Sequence, residues 1–102
     1  MSLHIDDLMI TNVSQRKSVF FIDTIEIRFE IDRFRYSLDV SEREDGMFYP
    51  WRIDHLEEYK YCQYCEHRSS VCPGLRDSSK ELFHRLIEFP SIRLEWLYIN
   101  HV

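Results

Sequence analysis

Three cysteines stand within eleven positions: Cys62 and Cys65 are separated by Gln63-Tyr64, Cys72 follows six residues later, and the chain has no other cysteine. A two-residue gap lets consecutive thiolates reach one ion, and a six-residue loop is short enough to bring a third thiolate to it. An odd number of cysteines, without secretory features, does not read as a disulfide framework. The expected chemistry is therefore a structural Zn2+ on Cys62, Cys65 and Cys72, since zinc accepts tetrahedral sulfur and nitrogen ligands and keeps one oxidation state. His84, beside the apolar stripe of a helix that begins soon after Cys72, is the first choice for the fourth ligand. His55, reaching back from the preceding segment, and His67, just beyond Cys65, are the alternatives.

Catalytic uses of the same residues fit less well. His55-Leu56-Glu57 ahead of Cys62-x2-Cys65 is similar to the ligands and proton shuttle of a zinc deaminase, but there the two motifs begin well-separated helices, and Tyr61 stands where a proline precedes the first cysteine. A thioredoxin-type dithiol needs a strand before its first cysteine, whereas a charged segment of helical character precedes Cys62. Covalent haem attachment needs a histidine where Glu66 stands, and neither a phosphate-cradling glycine loop nor a nucleophile elbow occurs. The chain reads as non-enzymatic.

Phe48, Tyr49, Trp51, Tyr59, Tyr61 and Tyr64 crowd the approach to the cysteines. Most are expected in the core or shielding the metal, and Trp51, Tyr59 and Tyr64 are the candidates for contacts to a protein partner, because Trp and Tyr dominate interface hot spots. The net charge of -5 disfavours nonspecific nucleic-acid binding and suits a basic protein partner. A nucleic-acid-binding zinc module is the alternative, with Arg68, Arg76, Lys80 and Arg85 as a local basic face. The longest purely apolar run, Val19 to Ile22, is far too short to span a bilayer, and Asp6 and Asp7 argue against a signal peptide, so a cytoplasmic location is expected.

These residues need a scaffold, and 102 residues allow one domain with a thin core in which Phe and Tyr supply much of the burial. Residues 25 to 40 give its clearest signal. Ile25, Ile27, Phe29 and Ile31 alternate with charges, and Phe34, Tyr36, Leu38 and Val40 do so after Asp32-Arg33. A two-residue loop there predicts a hairpin pairing Ile31 with Phe34, Phe29 with Tyr36, Ile27 with Leu38 and Ile25 with Val40, all on one face; Arg33 suits such a turn poorly, which leaves a longer loop open. Glu30 would meet Arg35, and Glu26 would meet Asp39 unfavourably.

The first strand is expected to begin near Ser18 with a bulge at Asp23-Thr24, after a separate N-terminal segment (1–17) containing a loop from Thr11 to Lys17. A turn at 42–46, a short helix over 53–61, a helix at 78–88 opened by a capping box at Ser78 to Glu81 and stopped by Pro90, and a strand over 92–99 complete the reading. The expected fold class is α+β: a small antiparallel sheet (18–40 plus 92–99), a C-terminal helix and a metal-pinned cysteine loop (61–75), within one domain spanning 18–102.

Pro50-Trp51, Cys62-x2-Cys65, Cys72-Pro73, Leu82, Leu86 and Phe89 together resemble a family of small uncharacterised bacterial proteins with strands, a Pro-Trp, a C-x2-C, a Cys-Pro and a closing helix. The resemblance implies a cysteine-site architecture in a bacterial or phage setting and assigns no activity. The function expected on all these grounds is a binding module that regulates or inhibits a protein partner, as a phage inhibitor or an immunity protein does.

Overall fold

The computed structural model describes residues 4–43, 47–57, 62–65 and 71–92. A 3-10 turn at Ile5–Asp7 leads into four strands, β1 (Ile10–Lys17), β2 (Thr24–Ile31), β3 (Phe34–Glu42) and β4 (Phe48–His55). Two helices follow, α1 (Pro73–Arg76) and α2 (Ser79–Leu86). Each strand pairs antiparallel with the next, in the order β1-β2-β3-β4. The fold is thus an antiparallel sheet followed by short C-terminal helices, and none of the described helices is long and apolar enough to cross a membrane.

The β2–β3 hairpin has the register that alternation demands: Ile31 faces Phe34, Phe29 faces Tyr36, Ile27 faces Leu38 and Ile25 faces Val40. Its loop has two residues, and both Asp32 (φ 51°) and Arg33 (φ 68°) adopt the left-handed backbone that matches the twist of a tight hairpin. Arg33 accepts that conformation because a loop longer by one residue would turn the four apolar side chains of one strand to the opposite face. Gln63 Nε2 donates to Asp32 Oδ2 at 2.9 Å, tying the turn to the cysteine loop.

The outer strands depart from the expectation. Residues 10–17 are not a loop but β1, an edge strand with a register shift between Thr11 and Ser14 and a positive φ at Asn12, so they belong to the same sheet as the rest. Strand β2 starts at Thr24 rather than near Ser18. Residues 53 to 55 are not helical but end β4, because Ile53 and His55 pair with Leu38 and Tyr36 on the sheet's apolar face. A register shift between Asp39 and Val40 places an extra β4 residue, Trp51, between Arg52 and Pro50. The strand expected over 92–99 lies outside the described residues beyond Ile92, which is buried.

Ile25, Ile27, Phe29, Ile31, Tyr36, Leu38, Val40 and Ile53 form the apolar face, against which Leu75 of α1 and Leu82, Phe83 and Leu86 of α2 are buried. Each such aliphatic side chain contributes about 1.5–3 kcal/mol. Ser78 precedes α2 as expected, but its side chain makes no capping bond. Arg85 reaches from α2 to the carbonyls of Ile5 (2.6 Å) and Leu8 (2.8 Å), fastening the N-terminal turn over the same core.

The loop between β1 and β2 curls over the sheet's other, polar face. It is held by Ser18 N–H to the Thr24 carbonyl (2.9 Å), by Glu42 N–H to the Asp23 carbonyl (3.2 Å) and by an edge-on contact of Phe21 with Trp51 (4.8 Å between centroids). Its apex leaves Phe20 83% and Ile22 89% exposed.

Candidate metal centre

The cysteine loop crosses the end of the apolar face. The Cys72 N–H donates to the Ile53 carbonyl at 2.8 Å, and Val71 forms an isolated bridge with Asp54, which brings Cys72 alongside the end of β4. Pro73 opens α1 immediately afterwards and fixes the direction in which the chain leaves the loop. Gly74 then passes against the Tyr64 backbone so closely that an added Cβ would lie 2.6 Å from the Tyr64 carbonyl carbon. Only a residue without a Cβ lets α1 and the Cys62–Cys65 turn meet there.

These constraints gather His55, Cys62, Cys65 and Cys72, whose ligand atoms all lie within 4.8 Å of one another. Cys62 Sγ is 3.7 Å from Cys72 Sγ, Cys72 Sγ is 3.9 Å from Cys65 Sγ, and Cys65 Sγ is 3.3 Å from His55 Nε2. Two sulfurs each about 2.3 Å from one ion at a tetrahedral angle are about 3.8 Å apart, and a sulfur and an imidazole nitrogen about 3.5 Å. The cluster could hold a metal ion with little rearrangement. Cys62 and Cys72 are buried, Cys65 is half-buried and none is in a disulfide.

The surroundings suit thiolates bound to a cation. The Tyr64 N–H donates to Cys62 Sγ at 3.4 Å, and the Tyr36 hydroxyl lies 3.1 Å from the same sulfur. Burial, followed by that contact with Cys62, pushes the Tyr36 phenol up, so its oxygen keeps the proton that it offers. Burial likewise pushes the Cys72 thiol up, with the Leu75 amide opposing, so metal capture must expel a proton that the metal-free site holds firmly. The His55 ring is packed edge-on by Phe34 (5.6 Å) and tilted against Tyr36 (5.9 Å), which fixes its plane.

The fourth member is His55, not His84. His84 is exposed on α2, its ring against Phe83, and takes no part in the cluster. The helix expected over 53–61 would give no reason for His55 to share the apolar face with Tyr36, which its place at the end of β4 makes it do. The expected alternative ligand His67 lies outside the described residues, as do Tyr59, Tyr61 and Arg68.

Of the aromatics expected to meet a partner, Tyr64 is half-buried beside the cluster, its hydroxyl accepting from Gln63 Nε2 (3.0 Å). Trp51 is half-buried on the opposite face, donating to Ser41 Oγ at 2.8 Å. The expected basic face is divided, since Arg85 is turned inward onto Ile5 and Leu8 while Arg76 and Lys80 are exposed. Sequence reasoning missed the apex of the 18–23 loop, although its run of four apolar residues, Val19 to Ile22, was visible.

No protein-family model, curated protein or solved structure matches the chain.

Proposed function

We propose that this chain is a zinc-stabilised, non-enzymatic module that binds a protein partner and regulates or inhibits it. The observation that carries the zinc assignment is the spacing of His55, Cys62, Cys65 and Cys72, which matches a tetrahedral ion filled by four protein ligands. Such a filled site leaves no open position for a bound water and favours folding over catalysis as the role of the ion. A thin core gains most from it, because the binding free energy of a structural metal is folding free energy.

The partner-binding part rests on the loop apex. Val19, Phe20 and Ile22 present adjacent apolar side chains that are 67%, 83% and 89% exposed, a display that costs solubility unless something covers it. The acidic balance of the chain favours a basic partner over nucleic acid, and the inward commitment of Arg85 removes one of the four residues that a nucleic-acid face would use.

The test is metal analysis of freshly purified, reduced protein, followed by thermal melts with and without chelator and by capture of the partner on wild-type and Phe20→Ser chains. About one zinc per chain is expected, with a melting temperature lowered by about 10 °C or more on chelation. The partner should be lost from Phe20→Ser. Metal-free protein whose melt ignores the chelator, or a Phe20→Ser chain that captures the same partner equally, contradicts the proposal.

A further inference from the structure

On the polar face, two rows of side chains cross the sheet. In one, Glu26 faces Asp39 and Asp39 faces Arg52; in the next, Arg28 faces Ser37 and Ser37 faces Asp54. The guanidinium groups are engaged along their own strands: Arg28 Nε donates to Glu26 at 2.5 Å, and Arg52 Nε donates to both oxygens of Asp54 at 3.0 Å. Asp39 sits between them, 5% exposed, with Arg52 acting on it through its charge but, among the described residues, in no ion pair with it. The Asp39 oxygens are not among the fully enclosed, partnerless atoms of the described residues, so the carboxylate opens toward solvent and can meet a further cationic group.

What Asp39 faces is a groove of about 610 Å³, lined also by Phe20, Phe21 and Leu56 and by the four charged residues just named. Three carboxylates against two guanidinium groups leave the groove one negative charge in excess. An anion is therefore repelled, and interspersed arginines make the site unsuited to a bare metal cation. Aromatic walls over a buried carboxylate suit a cation carried on an apolar stem, whose charge meets the carboxylate while its methylenes lie against the rings.

We infer that this groove receives one basic side chain, arginine or lysine, from the protein partner, with Asp39 as its counter-ion and Phe20 and Phe21 covering its stem. The inference rests on the proposed role as a protein-binding module and names the chemistry of the partner. It makes the exposed loop apex and the unpaired carboxylate parts of one surface, since Phe20 belongs to both.

The test uses the full chain, zinc-loaded, titrated calorimetrically with short capped peptides carrying a single arginine or a single glutamate between leucines, and with free agmatine. The arginine peptide should bind, the glutamate peptide should not, and agmatine should bind at least about tenfold more weakly, since it lacks the flanking apolar contacts. Asp39→Asn, which keeps the shape of the side chain, should weaken the arginine peptide about thirtyfold. Circular dichroism and zinc content should be unchanged in that variant.

Absence of peptide binding, equal binding of the two peptides, or an Asp39→Asn chain that binds as wild type overturns the groove assignment. Agmatine binding as tightly as the peptide overturns its assignment to a protein. The broader reading fails separately: a partner that needs Phe20 but is indifferent to Asp39→Asn leaves the module standing and removes the groove.

Discussion

The Tyr36 hydroxyl lies 3.1 Å from Cys62 Sγ in the interior, where neither residue has any exposed surface. A sulfur that carries negative charge when it binds a metal is thereby met by a proton donor instead of hydrocarbon. Groups that orient and stabilise a ligand from behind typically tune metal affinity by about 10–100-fold. Tyr36→Phe should therefore lower zinc affinity by about that factor in competition with a chromophoric chelator, while the zinc-saturated chain keeps its far-ultraviolet spectrum. Unchanged affinity would show that the contact is packing alone.

The two histidines separate cleanly. His55→Ala removes one of the four residues that would hold the ion and a ring packed against Phe34 and Tyr36, so it should release zinc at chelator concentrations that wild type survives, with a large fall in melting temperature. His84→Ala, at an exposed position, should alter stability by less than about 0.5 kcal/mol and leave zinc content intact. The reverse outcome would return His84 to the site.

Gly74 tests how the loop is held. A Cβ at this position meets the backbone of Tyr64, which cannot swing aside as a side-chain tip can. Gly74→Ala should cost about 1–3 kcal/mol by denaturant unfolding and should weaken zinc retention as α1 is pushed off the Cys62–Cys65 turn. A neutral effect on both would mean that the two segments separate freely.

Asp39 sets a pH dependence. Burial first, then Asp54 and Glu26, raise its pKa from 3.8 to about 6, against the lowering influence of Arg52. The folded chain thus holds this proton more tightly than the unfolded one. The stability contributed is fully present below about 3.8 and is lost as the pH rises through about 6. Asp39→Asn should be more stable than wild type at pH 7 and above, and the difference should shrink as the pH falls from 6 toward 3.8. Paired urea titrations across that range give the difference directly, and a constant difference contradicts the assignment. The same substitution is expected to weaken ligand binding, which is the usual exchange between stability and a working site.

The central hairpin was legible because eight apolar residues alternate about a two-residue turn and a slip of one position would turn the four of one strand to the opposite face. Strand β1 was not: it is an edge strand whose visible pattern is Thr, Asn, Ser, Gln, Arg and Lys, and polar edges carry no hydrophobic period. Strand β4 was obscured by the extra residue at Trp51. Phe48 and Pro50 face inward on even numbers and Ile53 and His55 on odd ones, so the alternation changes phase partway along. The cysteines pointed to a candidate metal site by spacing alone, whereas the histidine depended on that unread strand.

Glu30 faces Arg35 and Glu26 faces Asp39 as expected, but the hydrogen bonds of the first pair go to other partners. Arg35 donates to Glu57 at 2.7 Å, and Glu30 takes a hydrogen bond from Asn12. Side chains of this length choose among several neighbours, and sequence adjacency across a turn does not decide which.

Strand β4 carries neighbours with opposite duties: His55 turns toward the three sulfurs and Asp54 toward the groove on the far side. Sliding this edge strand by one residue against β3 would exchange them, sending an imidazole into the groove and a carboxylate into the oily interior. An ion gripping that single imidazole would forbid the slide, and so would act as the key that keeps a distant surface in its proper phase without ever touching it.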